Sequence, residues 1–291
     1  MQSGVVIKAL NSYYYVQDNE KVVVCKIRGR FKKERFSLCV GDQVEYLLLD
    51  DGKGVIENIL PRHTLLKRPL VANVDQVIIT FAAKSPDINP VLLDRFLVLA
   101  EHSSLKVLIC INKCDLADKE DLTSLIRLYT DIGYDVLQVS AKHHIGIDTL
   151  KTALTNKVSV FAGPSGVGKS TLLNALDSNL NLITGCISDK IQRGKHTTRV
   201  AELLPFFEGG FVVDTPGFSF TEFNYIDKFE LGYYFPEFEQ ARNICKFSTC
   251  LHEKEPQCGI KAAVDDGTIT QARYNSYITI LSEIKSIKRE F

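Results

Sequence analysis

A glycine-rich segment at residues 163–170 constrains the fold of this chain of 291 residues more than any other feature. It lies between an apolar run at 158–161 and a helical pattern at 171–176, and it reads Gly163-Pro164-Ser165-Gly166-Val167-Gly168-Lys169-Ser170. Glycines let backbone N–H groups wrap around a phosphate, a lysine neutralises its charge, and a serine hydroxyl can coordinate Mg²⁺. Both flanks disfavour a coincidental glycine-rich turn. The segment therefore predicts a strand, a nucleotide-phosphate loop that extends to Thr171, and a helix.

Two polar motifs upstream each follow another apolar run. Asn112-Lys113-Cys114-Asp115 ends the run at 106–111, and Ser140-Ala141-Lys142 follows 136–139. The Asp115 carboxylate can accept two N–H bonds from guanine, whereas adenine would leave it unpaired. We expect Ser140-Ala141-Lys142 to close over the base. Either motif alone is an ordinary loop in many proteins, but together with the phosphate loop they predict a guanine-nucleotide site.

A fourth motif, Asp214-Thr215-Pro216-Gly217, follows the apolar residues 211–213. Its aspartate can hold the water shell of Mg²⁺, and the Gly217 N–H can sense a γ-phosphate. The intervening segment 193–199 supplies two threonines. We expect Thr198, rather than Thr197, to join Ser170 at Mg²⁺; the alternative is a basic loop that binds nothing.

The order of the motifs is unusual, because an ordinary GTPase begins with its phosphate loop. Here the two base-reading motifs come first and Asp214 comes last. The motifs need only meet at one sheet edge, so the packing can survive a change of connectivity. The sequence therefore predicts a circularly permuted GTPase domain of the α/β class.

Phe218 stands where many GTPases keep a glutamine that orients the attacking water. A phenyl ring cannot do this by hydrogen bonding. Either hydrolysis is intrinsically very slow, or another group enters, and His196 is the nearest titratable candidate for a catalytic role. The alternative for His196 is a solvated or RNA-contacting side chain.

The pattern of apolar residues divides the chain into three predicted domains. Five short β-branched or aromatic strands predict a small barrel over 1–66. Nearly continuous apolar strands, including one at 77–81, alternate over 67–224 with helical stretches at 90–102, 119–132 and 170–177, as in a parallel sheet buried on both faces. Residues 225–291 become aromatic, then cysteine-rich, and end in a helical segment with one predicted apolar face, formed by Tyr274, Tyr277, Leu281, Ile284 and Ile287. Short linkers are expected near 61–70 and 220–230.

A basic patch interrupts the barrel between its third and fourth strands. It interleaves Phe31 and Phe36 with six cations, namely Lys26, Arg28, Arg30, Lys32, Lys33 and Arg35. A solvated loop is one interpretation, because runs of charge usually face water. The other is an oligonucleotide-binding (OB) barrel that tracks RNA phosphates and stacks aromatic rings on bases.

A second cluster suggests a metal centre. The spacing Cys245-x4-Cys250-x-His252-x5-Cys258 brings three thiols and an imidazole close enough for one structural Zn²⁺ with four protein ligands. Free thiols or a redox pair are the alternatives. Simple packing is expected for the other five cysteines, which are Cys25, Cys39, Cys110, Cys114 and Cys186.

Composition excludes several classes of protein. The chain has 35 basic and 35 acidic residues, which rules out a uniformly basic coat, although local patches remain. No secretory leader follows Met1 and no apolar run is long enough to cross a bilayer, so we expect a cytoplasmic protein with reduced thiols and no membrane partner.

The whole set of motifs resembles one family, that of ribosome small-subunit-dependent GTPase A (RsgA). The resemblance covers essentially the whole chain and adds Gly-Lys-His-Thr-Thr and Asp-Thr-Pro-Gly-Phe to the motifs above. It implies an OB barrel, a permuted GTPase domain and a zinc domain in a late maturation factor of the bacterial small ribosomal subunit and its rRNA. Such a factor hydrolyses GTP faster on the subunit and then leaves it. The histidine that the family is thought to use falls on His196.

Three other functions stay open from the sequence. Phe218 motivates a GTP-dependent RNA-binding module with negligible hydrolysis, and the cysteine cluster motivates a zinc or thiol redox sensor. A permuted GTPase of the large subunit is also possible, but the barrel combined with the cysteine cluster disfavours it. We expect a monomer that cycles between GTP and GDP.

Overall fold

The structure is a computed structural model that describes residues 1–19, 21–28, 38–67, 69–180, 201–214, 223 and 225–287, with only the backbone at Asn179, Phe207 and Asp214. Several predictions lie outside these residues. They concern Phe31, Phe36 and most cations of the basic patch, Cys186, His196, Thr197, Thr198, Gly217 and Phe218.

Five strands at the N-terminus close into a barrel, as predicted. They are β1 (Gln2–Leu10), β2 (Tyr13–Asp18), β3 (Lys21–Ile27), β4 (Gln43–Leu48) and β5 (Gly54–Ile59), in the order β1-β2-β3-β5-β4. The β3–β5 pair is parallel and the other pairs are antiparallel. Alternate side chains point inward, and the core contains Val6, Val16, Cys25, Leu38, Val44, Tyr46 and Ile56.

The expected linker near 61–70 is partly a hairpin. Strands β6 (Leu65–Lys67) and β7 (Leu70–Ala72) pair with each other, and Val71 bridges to Val40. Gly41 has φ 90°, and a Cβ there would come within 2.0 Å of the Ala72 carbonyl oxygen. Only glycine allows this approach.

The second sheet has six strands in the order β10-β9-β8-β11-β13-β12. Their bounds are β8 (Gln76–Ala82), β9 (Lys106–Asn112), β10 (Asp135–Gln138), β11 (Val158–Ala162), β12 (Glu202–Phe206) and β13 (Gly210–Asp214). The pairs β9–β10 and β11–β13 are parallel, whereas β12 runs antiparallel to β13. The sequence predicts every strand of this sheet except β12.

Among the described residues, four α-helices pack with this sheet, namely α1 (Pro90–His102), α2 (Lys119–Ile132), α3 (Ile147–Leu154) and α4 (Lys169–Leu176). The first begins at the Asn89 cap, whose side chain accepts from Leu92 N–H at 3.2 Å, with proline in the first turn. The prediction of α1, α2 and α4 is confirmed within two residues, and α3 was not predicted.

The C-terminal region contains two short 3₁₀ helices, Leu231–Tyr234 and Pro236–Phe238. Three α-helices follow: α5 (Glu239–Arg242), α6 (Gly259–Asp265) and α7 (Gln271–Ser286). Most of the predicted face of α7 packs inward, with Tyr277, Leu281 and Ile284 buried. The prediction was wrong for Ile287, which lies beyond the last helical residue and has an extended ψ of 111°.

The chain packs as two compact units. The first comprises residues 1–78, 144–161 and 168–218 and contains the barrel, α3, α4, β12 and β13. The second comprises 79–143, 162–167 and 219–291 and contains α1, α2, β9, β10 and the C-terminal helices. Strands β8 and β11 begin in the first unit and end in the second. In the described part of the chain, the helices are all too short or too polar to cross a membrane.

Candidate nucleotide site and metal centre

The side chain of Asn112 joins three of the predicted motifs. It lies at the end of β9 and is 2% exposed. Its Nδ2 donates to the Val167 carbonyl at 2.9 Å, and its Oδ1 accepts from Ala141 N–H at 3.2 Å. One amide therefore uses its donor on the phosphate loop and its acceptor on the Ser140-Ala141-Lys142 motif. The sequence predicted these segments separately, and the structure brings them together within the second unit.

Lys113 turns back over the same region because its backbone is left-handed, with φ 56°. Its ammonium donates to the Gly166 carbonyl at 2.8 Å and to the Ser85 carbonyl. The loop after β8 thereby joins the base-reading motif and the phosphate loop. No sequence motif indicated that Ser85 takes part.

Asp115 lies in a single 3₁₀ turn, Cys114–Leu116, directly after β9. Its carboxylate is held by the hydroxyl of Ser140, which is fully buried. That hydrogen bond, aided by the charges of His143 and Lys142, keeps the pKa of the Asp115 carboxyl below its usual value. Asp115 is therefore an ionised acceptor at neutral pH, which is the state that can bind the two N–H groups of guanine.

The phosphate loop has the backbone that its glycines predict. Gly163, Gly166 and Gly168 have φ values of 142°, 81° and 89°. A Cβ on Gly163 would lie 2.0 Å from the Thr80 carbonyl oxygen, so this position accepts glycine alone. Gly168 is the N-cap of α4, where it turns the chain into the helix. The free N–H groups at a helix N-terminus form a site for an anion.

Lys169, the first residue of α4, has an ammonium group whose pKa is lowered. Burial lowers the pKa of its ammonium to about 8. Removing water disfavours the charged form, and a bound phosphate would restore it. The neighbouring Ser170 is half-buried and Thr171 is exposed.

The remaining predicted nucleotide residues are less completely described. Pro164 is half-buried, and Ser165 and Lys142 are exposed. The backbone of Asp214 ends β13, where it pairs with Glu202 of β12.

The predicted metal ligands converge in the second unit. Cys245, Cys250, His252 and Cys258 each offer one atom, and these atoms all lie within 4.8 Å of one another. His252 Nδ1 lies 3.5 Å from Sγ of both Cys245 and Cys258, and these two sulfurs are 3.9 Å apart. Four ligands about 2.3 Å from a tetrahedral Zn²⁺ would lie about 3.8 Å from one another. The donor set and its spacing therefore fit one such ion.

Charge supports the same fit. Burial raises the pKa of Cys250 to about 12, raises that of Cys258, and lowers the pKa of His252. Several thiolates side by side would be unfavourable here without a cation, and Zn²⁺ supplies two positive charges. By contrast, Cys25, Cys39 and Cys110 are buried apart from this cluster and Cys114 is half-buried, in keeping with the packing prediction.

Helix α7 supports the metal centre through two tyrosines that sequence reasoning placed only in the core. Tyr274 and Tyr277 donate their hydroxyls to the carbonyls of His252 and Leu251, at 2.7 and 2.9 Å. The left-handed backbone of His252, with φ 57°, turns the loop so that the ring faces the cysteines.

A closed five-stranded barrel, a six-stranded α/β sheet, and base-reading motifs that precede the phosphate loop define the class of circularly permuted GTPases. The family model described as RsgA GTPase matches residues 59–224, and that described as RsgA N-terminal domain matches 3–56. The chain belongs to the RsgA GTPase family.

Relatives match the chain over nearly its whole length. A "Small ribosomal subunit biogenesis GTPase RsgA" of Alkaliphilus metalliredigens is 46% identical and covers 99% of this chain and 100% of the relative. The protein of that name from Clostridium perfringens is also 46% identical, over 97% of each chain.

Two solved structures are similar. YjeQ from Thermotoga maritima has a TM-score of 0.84 and 41% identity, over 99% of each chain. YloQ, described as a circularly permuted GTPase, has a TM-score of 0.84 and 40% identity, over 100% of this chain and 97% of that one.

Proposed function

We propose that this protein hydrolyses GTP to GDP and phosphate during biogenesis of the small ribosomal subunit, is stimulated by that subunit, and then dissociates from it. The observation that carries the proposal is the Asn112 amide, which joins β9, the Ser140 motif and the phosphate loop. Relatives that are 46% identical over nearly the whole chain are named small ribosomal subunit biogenesis GTPases.

The proposed nucleotide contacts follow from these side chains and backbone groups. Asp115 accepts from guanine N1–H and the 2-amino group, while Ser140, Ala141 and Lys142 close over the base. The phosphates accept hydrogen bonds from backbone N–H groups of residues 163–171 and from the Lys169 ammonium. Asn112 and Lys113 donate to the Val167 and Gly166 carbonyls and so hold the base-reading motif against residues 166–167 of the phosphate loop.

Two metals belong to the proposal. Mg²⁺ would lie at Ser170 and Thr198 with Asp214 on its water shell, and it would supply charge to the transferring phosphoryl group. One structural Zn²⁺ would be held by Cys245, Cys250, His252 and Cys258. Its chemistry is purely structural, since four protein ligands leave no open position.

We also propose three domains, with the following bounds and roles. Residues 1–66 form an OB barrel for rRNA, 67–224 the GTPase domain, and 225–291 the zinc domain with its C-terminal helix. Exposed Tyr13 on the barrel has the Lys26 ammonium 5.0 Å from its ring centroid, an arrangement that suits an RNA base and phosphate. We place the protein in the cytoplasm as a monomer.

His196 is the proposed catalytic residue, on the strength of its sequence position and of Phe218 in place of glutamine. Histidine to alanine at this position should abolish stimulated turnover while leaving GDP affinity nearly unchanged. Preserved turnover would remove it from the mechanism. His144→Asn, in an exposed turn whose left-handed backbone asparagine tolerates, is the histidine control.

The decisive experiment measures GTP turnover with and without purified small subunits, with large subunits as the control. Turnover should rise only with small subunits. No stimulation would refute subunit sensing, and stimulation by large subunits would favour the large-subunit alternative. Single-turnover GTP cleavage on the subunit would exclude an RNA-binding module with negligible hydrolysis, which Phe218 otherwise favours.

A further inference from the structure

A histidine that no sequence motif assigns lies against the base-reading carboxylate. His143 Nε2 is 3.6 Å from Asp115 Oδ2, and the two side chains are 52% and 18% exposed. His143 directly follows the Ser140-Ala141-Lys142 motif. An imidazolium at this distance forms an ion pair with the carboxylate, whereas a neutral imidazole does not.

Ser140 holds both members of this pair in place. Its buried hydroxyl donates to Asp115 and accepts from the backbone N–H of His143 at 3.2 Å. The backbone of residue 143 is therefore fixed relative to the carboxylate, so the contact does not depend on a long mobile side chain.

Other charged or titratable groups around Asp115 in the described chain do not switch near neutral pH. The Lys142 ammonium helps to lower the pKa of the Asp115 carboxyl. The Cys114 thiol also faces this carboxylate, and burial raises its pKa, so it stays neutral. Lys113 directs its ammonium to the Ser85 and Gly166 carbonyls. Among these described groups, His143 is the one whose side-chain type can gain a positive charge close to neutral pH.

We propose that protonated His143 competes with guanine for Asp115 and thereby weakens guanine-nucleotide binding as the pH falls. This inference rests on the proposed function, because it takes Asp115 as the guanine acceptor. Guanine needs both carboxylate oxygens for its two N–H groups, and an imidazolium paired with Oδ2 makes that oxygen a weaker acceptor for the guanine N–H. The Asp115 carboxyl itself stays ionised over pH 5.5 to 8, since its pKa is lowered.

The size of the effect follows from exposure. An ion pair between partly exposed side chains contributes modestly, so competition should weaken GDP binding about two- to fivefold between pH 8 and 5.5. The phosphates of GDP also titrate near pH 6. The informative quantity is therefore the ratio of the Kd of a variant to that of the wild type at each pH.

The experiment measures the Kd of fluorescent GDP from pH 5.5 to 8 for the wild type, His143→Asn and His144→Asn. His144 is the matched control because it is exposed and has a left-handed φ of 55°, which asparagine tolerates. His143→Asn should bind GDP as the wild type does at pH 8 and about two- to fivefold more tightly at pH 5.5. His144→Asn should follow the wild type throughout.

A second measurement titrates the His143 imidazole by NMR with and without GDP. Because linkage is reciprocal, GDP should lower its pKa. An unchanged imidazole pKa, or a Kd ratio for His143→Asn that does not vary with pH, overturns the inference. Weaker binding by His143→Asn at pH 8 also overturns it, by making the ring a direct base contact. If the wild type binds no GDP at any pH, the proposed function itself fails.

Discussion

The chemistry of the nucleotide site depends on single polar groups whose hydrogen bonds join separate motifs. Asn112 uses its amide N–H on Val167 and its amide oxygen on Ala141, and Ser140 uses its hydroxyl as both donor and acceptor. Breaking one of these buried bonds would leave a polar atom unsatisfied, at a cost of about 1–3 kcal/mol. The bonds therefore hold the two base-reading motifs and Val167 together before a nucleotide arrives.

Base selection gives the first prediction. Asp115→Asn replaces one acceptor oxygen with a donor, which opposes the 2-amino group of guanine and suits the 2-carbonyl of xanthine. GDP affinity should fall about 10- to 100-fold, and xanthosine diphosphate should become the better ligand. Competition binding with the two nucleotides measures this. Asp135→Asn, an exposed residue at the start of β10, should change neither affinity. An unchanged preference in the first variant would refute the base contact.

Proton uptake gives the second prediction. In the free protein, burial lowers the pKa of Lys169 to about 8, so roughly half of these side chains are neutral at pH 8. Phosphate stabilises the ammonium, so GDP binding should take up about half a proton at pH 8 and less at pH 7. Calorimetry in buffers of different ionisation enthalpy measures the uptake. Zero uptake at pH 8 would contradict the lowered pKa.

At the scale of elements, α1 and α7 are joined by a buried ion pair. Arg273 and Asp94 are each 1% exposed, and Arg273 Nε also contacts Glu237 Oε1 at 2.6 Å. Tyr129 donates its hydroxyl to Asp94 at 2.9 Å. A second contact between the same helices pairs Arg95 with Glu283. Packing of α7 therefore depends on buried charges, each of which would be unfavourable without its partner.

Removing one partner of that pair gives the third prediction. Arg273→Ala should lower the free energy of unfolding by about 3–5 kcal/mol, because two carboxylates stay buried without their cation. Lys285→Ala on the same helix breaks a partly exposed pair with Glu253 and should cost about 0–1 kcal/mol. Urea unfolding measures both. Equal effects would show that burial of the Arg273 pair contributes nothing special.

The sequence predicted the elements that have a strong period of their own. Strand β8 and helix α1 are long and apolar enough to be recognised alone. Helix α3 escaped because it has eight residues, three of them threonine or isoleucine, and begins at a glycine without a side-chain cap. Strand β12 contains Pro205, which argues against a strand, but β12 is the edge of the sheet, where a missing N–H is tolerated.

The same distinction holds for the site. Motifs at strand ends were predictable, because the sequence places phosphate and base chemistry at one sheet edge. The contributions of Ser85, His143 and Tyr274 were not, because each depends on which backbone or side-chain group packs against it in three dimensions. No local pattern encodes those neighbours.

At the scale of the whole molecule, the metal centre holds a region with little secondary structure. Purified protein should contain one zinc ion per chain, and Cys250→Ser should lower both the zinc content and the Tm. Elemental analysis and thermal unfolding measure these. Cys114→Ser, outside the cluster, should keep its full zinc content. A chain that unfolds identically with and without a chelator would refute a structural zinc.

The order of strands in the six-stranded sheet has a consequence for synthesis on the ribosome. The three strands made first, β8, β9 and β10, are neighbours on one side, and the later strands form the other side. The guanine-reading half is complete at Lys142, and at about 5–20 residues per second the roughly 20 residues from there to Gly163 take roughly 1–4 s to translate. A growing chain therefore completes the guanine-reading half of the sheet before its phosphate loop has been made. Until then, the apolar packing of β8, β9 and β10 must stabilise that half.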